Sequence, residues 1–517
     1  MQHNVVSRRH FFFGQLLAGA IPAVGFGSSA SLKALGYRSP NEKLNIASIG
    51  AGGKAASDIT ACAATENIVA LCDVDEKRAE RMFRQFEKVP KYKDFREMLD
   101  KESKNIDAVI VSIPDHMHAT AALAAMERGK HVYVQKPLAR TVQECRLLRD
   151  AARKYKVATQ MGNQGYSNEG TRQCAEMIWA GEIGSVTEVH AWTNRPIWPQ
   201  GLPDLPPEGA VPATLDWDLW LGIAGMRPYS EKYAPFAWRG FYDFGCGALG
   251  DMACHILGAP NVALNLGSPT SVECIRQEGK SKFYYPEKSV IRFDFPARGA
   301  MPAVNITWYD GMKAQPEIPG VPAGELLGEL PRLRTAGEAP EPRRENTNPF
   351  VQGQIFTDAY FAPGALEAAP RRQRQAQEQQ APDANTRLDA QVTRLAGQGS
   401  NGSLFIGDKG MLTTGTYGEN TRLLPMAKMK DYAWPAKFLT RSPGHYRDWI
   451  RACKGGEPAC SNFELAAQFT EWILLGVLAL RFEGKLEWDP EKMRITNNGP
   501  ANELLRPYVR KGWRLPG

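Results

Sequence analysis

The sequence predicts an α/β domain with a parallel sheet, followed by an α+β domain built on a large, mostly antiparallel sheet. Two observations carry this. From Lys43 to about Thr159, short apolar runs (LNIASIG, NIVALCDV, DAVIVSI, HVYVQK, VATQMG) alternate with helical stretches such as Glu76 to Phe86 and Val142 to Tyr155. Buried strands separated by crossover helices make a parallel sheet. From about Gly162 to Tyr309 the strands come in runs: SVTEVHAWTN, SVECIRQ and SVIRFDFPA follow one helix, TRQCAEMIWAGEIG. Few helices between strands indicate an antiparallel sheet covered on one face.

The segments around these two units read as follows. In residues 1–36 a polar start leads to Arg8-Arg9, an apolar run from Phe11 to Phe26, and Ser28-Ser29-Ala30, the three regions of a signal peptide. The order Ser-Arg-Arg-x-Phe-Phe resembles the twin-arginine (Tat) signal, whose export machinery carries folded proteins. At about 16 residues the apolar run falls short of the roughly 20 that span a membrane, so the expected mature form is free of the membrane, in the periplasm or outside the cell. The first domain is expected over 43–161 and the second over 162–490. Within the latter, 314–402 (RRQRQAQEQQAPDANTRLDAQ at its centre) reads as a polar, partly disordered insertion. After it, GSLFIGDKGMLTTG predicts a hairpin turning at Gly407 to Gly410, and SNFELAAQFTEWILLGVLALRF a buried helix with Ser461 as N-cap. Residues 491–517 form a tail packing on both domains.

Composition excludes several classes. The 517 residues, 43% hydrophobic and 23% charged, suffice for two domains with large cores. A formal charge of +7 is small for this length, and no nucleic-acid motif accompanies it, so nucleic acid is not expected as a partner. Nine cysteines lie scattered without a CxxC pair, which predicts reduced thiols rather than a disulfide framework.

The chemistry begins at Gly50-x-Gly52-x-x-Ala55, between a predicted strand and a predicted helix. Gly50 suits a tight turn, Gly52 and Gly53 let a pyrophosphate approach the backbone, and small Ala55 lets helix and strand pack. This is a Rossmann-type dinucleotide site, with the helix N-terminus facing the phosphates. Asp73 ends the next strand, about 20 residues on, where a carboxylate bonds ribose hydroxyls and repels a 2′-phosphate. NAD is therefore expected over NADP, although Lys77 and Arg78 stand close by.

Two more stretches fall at strand ends, where open α/β sheets bind ligands: SIPDHMH, with Ser112, Pro114 and His118, and QKP, with Gln135 and Lys136. Lys136 precedes a proline, so its backbone is extended and its side chain is free to reach the crevice. In the second region WRGFYDFGCGALGDMACHILGAP sets Asp251 and His255 four residues apart, on one face of a helix. A carboxylate and an imidazole so placed suit a general base and its orienting partner. A metal pair is the competing reading, but no third ligand of comparable spacing accompanies them.

The ordered set GAGGKA, CDVD, PDHMH, QKP and GALGDMACH resembles the glucose–fructose oxidoreductase/inositol dehydrogenase/rhizopine-catabolism (Gfo/Idh/MocA) family, from about Leu44 to Tyr309 and again from about Gly402. The resemblance implies that Lys136, Asp251 and His255 line the nicotinamide and the sugar, with Pro114 and His118 near the cofactor. Two departures stand out: Gln135 replaces the usual Glu, removing a charge beside Lys136, and Ala253 and Ala259 replace the Gly and Asp of many members. The implied reaction is hydride transfer from a carbinol carbon of a sugar, glycoside or cyclitol to tightly bound NAD. His255 would be the base, with Tyr166 or Tyr242 next in line; Asp251 would orient it, and Lys136 would bond the reacting oxygen. Trp192, Arg195, Trp238, Arg239 and Tyr242 would form the sugar-facing wall, in a homo-oligomer. Two alternatives remain: an NAD-dependent glycosidase working by transient oxidation, elimination and re-reduction, and a non-catalytic carbohydrate-binding protein on the same fold.

Overall fold

The computed structural model describes residues 42–330 and 401–516; the signal-peptide reading and the Gln- and Arg-rich stretch fall outside these. The first domain runs β1 (Asn45–Ile49), α1 (Lys54–Ala63), β2 (Asn67–Cys72), α2 (Glu76–Gln85), β3 (Lys91–Tyr92), α3 (Phe95–Lys101), β4 (Ala108–Val111), α4 (His118–Glu127), β5 (His131–Val134), α5 (Val142–Tyr155) and β6 (Thr159–Met161). Its strands pair in parallel in the order β3-β2-β1-β4-β5-β6. The order reverses between β1 and β4, which opens a crevice above their C-terminal ends. Local chemistry sets the helix ends. Asp75 caps α2 by accepting from the Lys77 and Arg78 amides, and Thr141 with Glu144 forms a reciprocal capping box on α5.

The second domain contributes α6 (Glu169–Trp179), β7 (Val186–Trp192), α7 (Trp217–Leu221), α8 (Gly247–Ile256), α9 (Gly258–Ala263), β8 (Ser271–Glu278), β9 (Lys288–Phe295) and β10 (Val304–Tyr309). After the insertion come β11 (Gly402–Gly407), β12 (Gly410–Thr414), β13 (Arg422–Leu424), α10 (His445–Cys453), α11 (Phe463–Ala479), β14 (Lys485–Asp489) and β15 (Arg494–Ile495). The nine strands order as β13-β12-β11-β7-β10-β9-β8-β14-β15, with only the β7–β10 ladder parallel. The β11–β12 hairpin pairs Gly407 with Gly410, where the turn was expected.

Apolar helix α11 packs against α5 and α8 and lies on β8 and β9, so it joins the two domains. Its N-cap is Asn462, whose side chain accepts from the Glu464 amide, rather than Ser461; the Ser461 hydroxyl is drawn away to the Asn163 side-chain carbonyl. Helix α10 returns to the first domain, where Trp449, Ile450 and Cys453 close a core with Leu44, Ile46 and Tyr133. Of the segment read as an insertion, residues 314–330 pack as part of the domain: Ile318 and Leu327 are buried with Trp192, Leu404 and Leu424. In the tail, Arg510 bonds the Gly222 carbonyl and Trp513 lies against Phe95.

One residue of SIPDHMH ties the domains together. His116 is fully buried between the rings of Trp220 and Phe244, its amide donating to the Phe244 carbonyl and Nε2 standing 3.0 Å from the Trp220 carbonyl. Its Nδ1 has no hydrogen-bond partner among the described residues, which fits a neutral ring protonated at Nε2. Burial pushes its pKa from 6.5 down to about 3. Across that window the unfolded chain binds a proton that the folded chain refuses, so stability falls as pH falls. The margin of the parent over His116→Gln, from chemical unfolding at about pH 7 and about pH 4, is expected to shrink by about 3 kcal/mol at the lower pH. A constant margin would show that the ring takes up its proton as readily in the fold as in the unfolded chain.

Candidate functional site

The crevice above β1 and β4 continues into the second domain as one cleft of about 1250 Å³. Its first half is built by the loop after β1. Gly50 has φ +94°, and a Cβ there would collide with the Ser112 carbonyl; one at Gly52 would strike Arg78. Gly53, at φ +54°, ends the loop as N-cap of α1, and Ala55 is fully buried beneath it. Asp73 accepts from the Ala51 and Gly52 amides at 2.8 and 3.2 Å and from the Asp75 amide at 3.0 Å. Burial raises its carboxyl, against the pull of those amides. A strap of glycines without room for side chains, a helix N-terminus and a carboxylate at the next strand end fit a dinucleotide. Arg78 also lines this half, its guanidinium lying over Gly53, and Ser112, Pro114 and Gln135 complete the wall.

At the other end three elements converge. Lys136, just past β5, reaches across to α8, where its Nζ donates to Asp251 Oδ1 at 2.6 Å and to the Asp251 carbonyl at 3.1 Å. Arg239, stacked on Trp238 and Phe236, places Nε 3.5 Å from the same Oδ1. Burial works to raise the Asp251 carboxyl, but the Lys136 and Arg239 charges outweigh it and hold it at about 2. His255, one turn along α8, also lines the cleft and is 5% exposed. Burial, reinforced by the Lys136 charge, pushes its pKa well below 6.5, so the ring stands neutral. No hydrogen bond joins Asp251 to His255, and His255 Nδ1 is buried with no hydrogen-bond partner among the described residues; the ring packs edge-on against Tyr417. The carboxylate expected to orient the imidazole is instead committed to the lysine, because the lysine ammonium comes within bonding range from the facing domain.

The wall read from sequence is divided. Arg195, Trp238 and Arg239 line the cleft. Trp192 and Tyr242 do not: Trp192 is at zero exposure in the core beneath β7, and Tyr242 is packed between Tyr285 and the Arg481 guanidinium. His118 lies behind the cofactor half. Its two ring nitrogens are 2.7 and 2.8 Å from the Pro137 and Ile113 carbonyls, so it staples the loops after β4 and β5 together. Tyr166, the reserve base, is buried outside the cleft, its hydroxyl accepting from Asn261. Sequence reasoning passed over Asp115, within a stretch it had singled out, and Glu329 and Tyr417, which carry no motif; all three line the cleft. Burial pushes the Asp115 carboxyl up to about 7, against the nearby Arg239 charge.

Gln135 finds a counterpart the sequence did not suggest. Its Nε2 donates to Asp58 Oδ2 at 2.9 Å, and the same fully buried carboxylate accepts from Ser112 Oγ at 2.7 Å, Lys54 Nζ at 2.6 Å and the Tyr446 hydroxyl at 2.5 Å. A glutamate at 135 would face this carboxylate. The amide is what position 135 requires when α1 carries Asp58.

Residues 44–163 match the family model for the NAD-binding Rossmann fold of the Gfo/Idh/MocA oxidoreductases, and 179–278 match the model for their C-terminal α/β domain. Over these matched residues the chain is similar to this family of NAD-binding oxidoreductases, and its first domain is an NAD-binding Rossmann domain. Among curated relatives it is 31% identical over 192 residues to an α-N-acetylgalactosaminidase of Shewanella oneidensis, covering 32% of this chain and 41% of that protein. It is 31% identical over 125 residues to an inositol 2-dehydrogenase of Salmonella typhimurium, covering 24% and 37%. The chain thus spans about two fifths of the length of the curated relatives it matches. In fold it is similar to the WlbA dehydrogenase of Bordetella pertussis, solved with NADH and UDP-GlcNAcA (TM-score 0.52, 14% identity, 87% of this chain and 99% of that one). It is also similar to GenD2 of gentamicin A biosynthesis, solved with NAD (TM-score 0.50, 15% identity, 90% and 100%).

Two outcomes test this geometry. Gln135→Glu is expected to cost about 2 kcal/mol or more by setting two carboxylates together in a buried site, and Asp58→Asn in the same chain should restore most of it; additive losses in thermal unfolding would mean that the pair is not coupled. Asp73→Ala should weaken NAD binding and improve NADP relative to it, because Arg78 remains while the carboxylate is gone. An unchanged ratio of the two dissociation constants would place the choice on another residue.

Proposed function

We propose that the protein oxidises a CH–OH group of a sugar, glycoside or cyclitol with tightly held NAD, and that it is exported folded through the Tat route. The observation that carries the catalytic reading is the meeting of Lys136, Asp251 and His255 at the far end of a cleft whose near end is the glycine loop. The Ser7 to Phe12 pattern supports export.

When bound, NAD supplies the hydride acceptor. The chain supplies the handling of the hydroxyl. Of the three N–H donors on Lys136 Nζ, two go to Asp251, which leaves the third for the reacting oxygen and for the negative charge that develops there. Asp251 acts as a positioning residue, fixing the ammonium at the mouth of α8. His255 is neutral and buried, so it is in the state that accepts the hydroxyl proton at a ring nitrogen, and the nearby Asp251 charge favours the imidazolium that results. Low exposure of all three groups keeps water from competing for these bonds.

A second reading, an NAD-dependent glycosidase in which the same groups act on a transient ketone, is favoured by the relatives named as glycosidases. Single-turnover reduction of bound NAD by a panel of sugars, inositols and glycosides tests both. Lys136→Ala and His255→Ala should keep the dinucleotide and slow the reduction by about a hundredfold or more. Parental rates in His255→Ala from about pH 6 to 9 would put the base elsewhere. Release of aglycone without net reduction would favour the glycosidase.

A further inference from the structure

We infer that the sugar end of the cleft takes a substrate bearing an anionic group, carboxylate or phosphate, seated on the Arg195 guanidinium. This rests on the cleft being the sugar site proposed above. The other two buried arginines of the described residues give several bonds each: Arg172 to the Thr440, Tyr166 and Asn168 carbonyls, and Arg422 to the Gly328, Asn420 and Leu326 carbonyls. The less buried Arg441 and Arg146 are held by carboxylates, Glu169 and Glu176 for the first and Glu471 for the second. Arg195 is different. It is 4% exposed and lines the cleft, yet its guanidinium makes one hydrogen bond among the described residues, from Nη1 to Asn194 Oδ1 at 2.6 Å, and no ion pair. Five N–H donors in a rigid fork are thus largely unspent.

The neighbouring carboxylates are committed elsewhere. Asp251 is engaged by Lys136 and Arg239. Glu329 accepts from the Thr416 hydroxyl and, at 3.4 Å, from Asn401 Nδ2, and no ion pair joins it to Arg195. Three cations, Lys136, Arg195 and Arg239, thus share the cleft with Asp251, which two of them hold ionised, and with Asp115 and Glu329, whose carboxyls burial raises; no ion pair joins any of these carboxylates to Arg195. A buried cation without an anion is costly. A neutral sugar offers only hydroxyl dipoles to such a fork, whereas a carboxylate or phosphate matches it with two parallel charge-assisted bonds.

The test is calorimetric titration of the NAD-loaded full-length protein with matched probes: glucuronate, glucose 6-phosphate and glucose, then the three galactose counterparts. An anionic member is expected to bind at least about tenfold more tightly than its neutral partner, the scale of a charge-assisted hydrogen bond. Whether the uronate or the phosphate leads identifies the source of the charge. Arg195→Gln should abolish the preference, and Arg195→Lys should retain part of it, since a point charge replaces the fork. Equal affinity for neutral and anionic members, a preference that survives Arg195→Gln, or no binding by any member at millimolar concentration would each overturn the inference. Anionic binding without reduction of NAD or cleavage of a glycoside leaves the Arg195 seat standing and counts against the reaction proposed above. Reduction by neutral sugars with no anionic preference does the reverse.

Discussion

The bond from Lys136 Nζ to Asp251 Oδ1 crosses from the end of a parallel strand to a helix of the second domain. Both side chains are largely withdrawn from water, at 17% and 15% exposure. Removing Asp251 would leave the lysine charge withdrawn from water without its anion, and removing Lys136 would leave the carboxylate to Arg239 alone, so the pair holds its value only while the domains are docked. The rest of the reacting end follows from this constraint. Asp251 stays ionised because two cations hold it so, His255 stays neutral because it is buried beside an ammonium, and Arg239 is drawn in over Trp238 to share the same carboxylate.

The cofactor half depends on a second buried carboxylate. Asp58 gathers Lys54, Ser112, Gln135 and Tyr446, and Tyr446 belongs to α10, which returns from the far end of the chain. The network runs on through Tyr133 to His445 and Ser167. The glycine loop, two strand ends and a C-terminal helix are thereby tied by directional bonds, and apolar packing of Trp449 beneath them excludes water. A loop with little room for side chains is held still by polar groups behind it.

Local patterning sufficed where the determinant is local. The parallel sheet was legible because β4 and β5 are buried on both faces and read as unbroken apolar runs, and the hairpin because Gly407 and Gly410 flank a short turn. Gly50 was legible because a positive φ and contact with a carbonyl exclude every side chain. Trp192 and Tyr242 misled for a physical reason. An aromatic residue has the same appeal in a sugar wall and in a core, and the choice is made by which face of β7 or which loop turns outward.

Composition and order alone determined the two-domain plan and the dinucleotide loop with Asp73, because each rests on chain-local spacing or backbone freedom; Lys136, Asp251 and His255 were joined in one group by the resemblance to the family. Only the tertiary structure decided the pairings between these groups. Asp251 belongs to Lys136 rather than to its helix neighbour His255, Gln135 answers Asp58 across 77 residues, and Arg195 has no ion pair among the described residues while Glu329 accepts from Thr416 and Asn401. Such assignments depend on distances of about 3 Å between residues far apart in the chain, and a hydrogen bond is lost within a fraction of an ångström beyond that range. No local pattern encodes that separation.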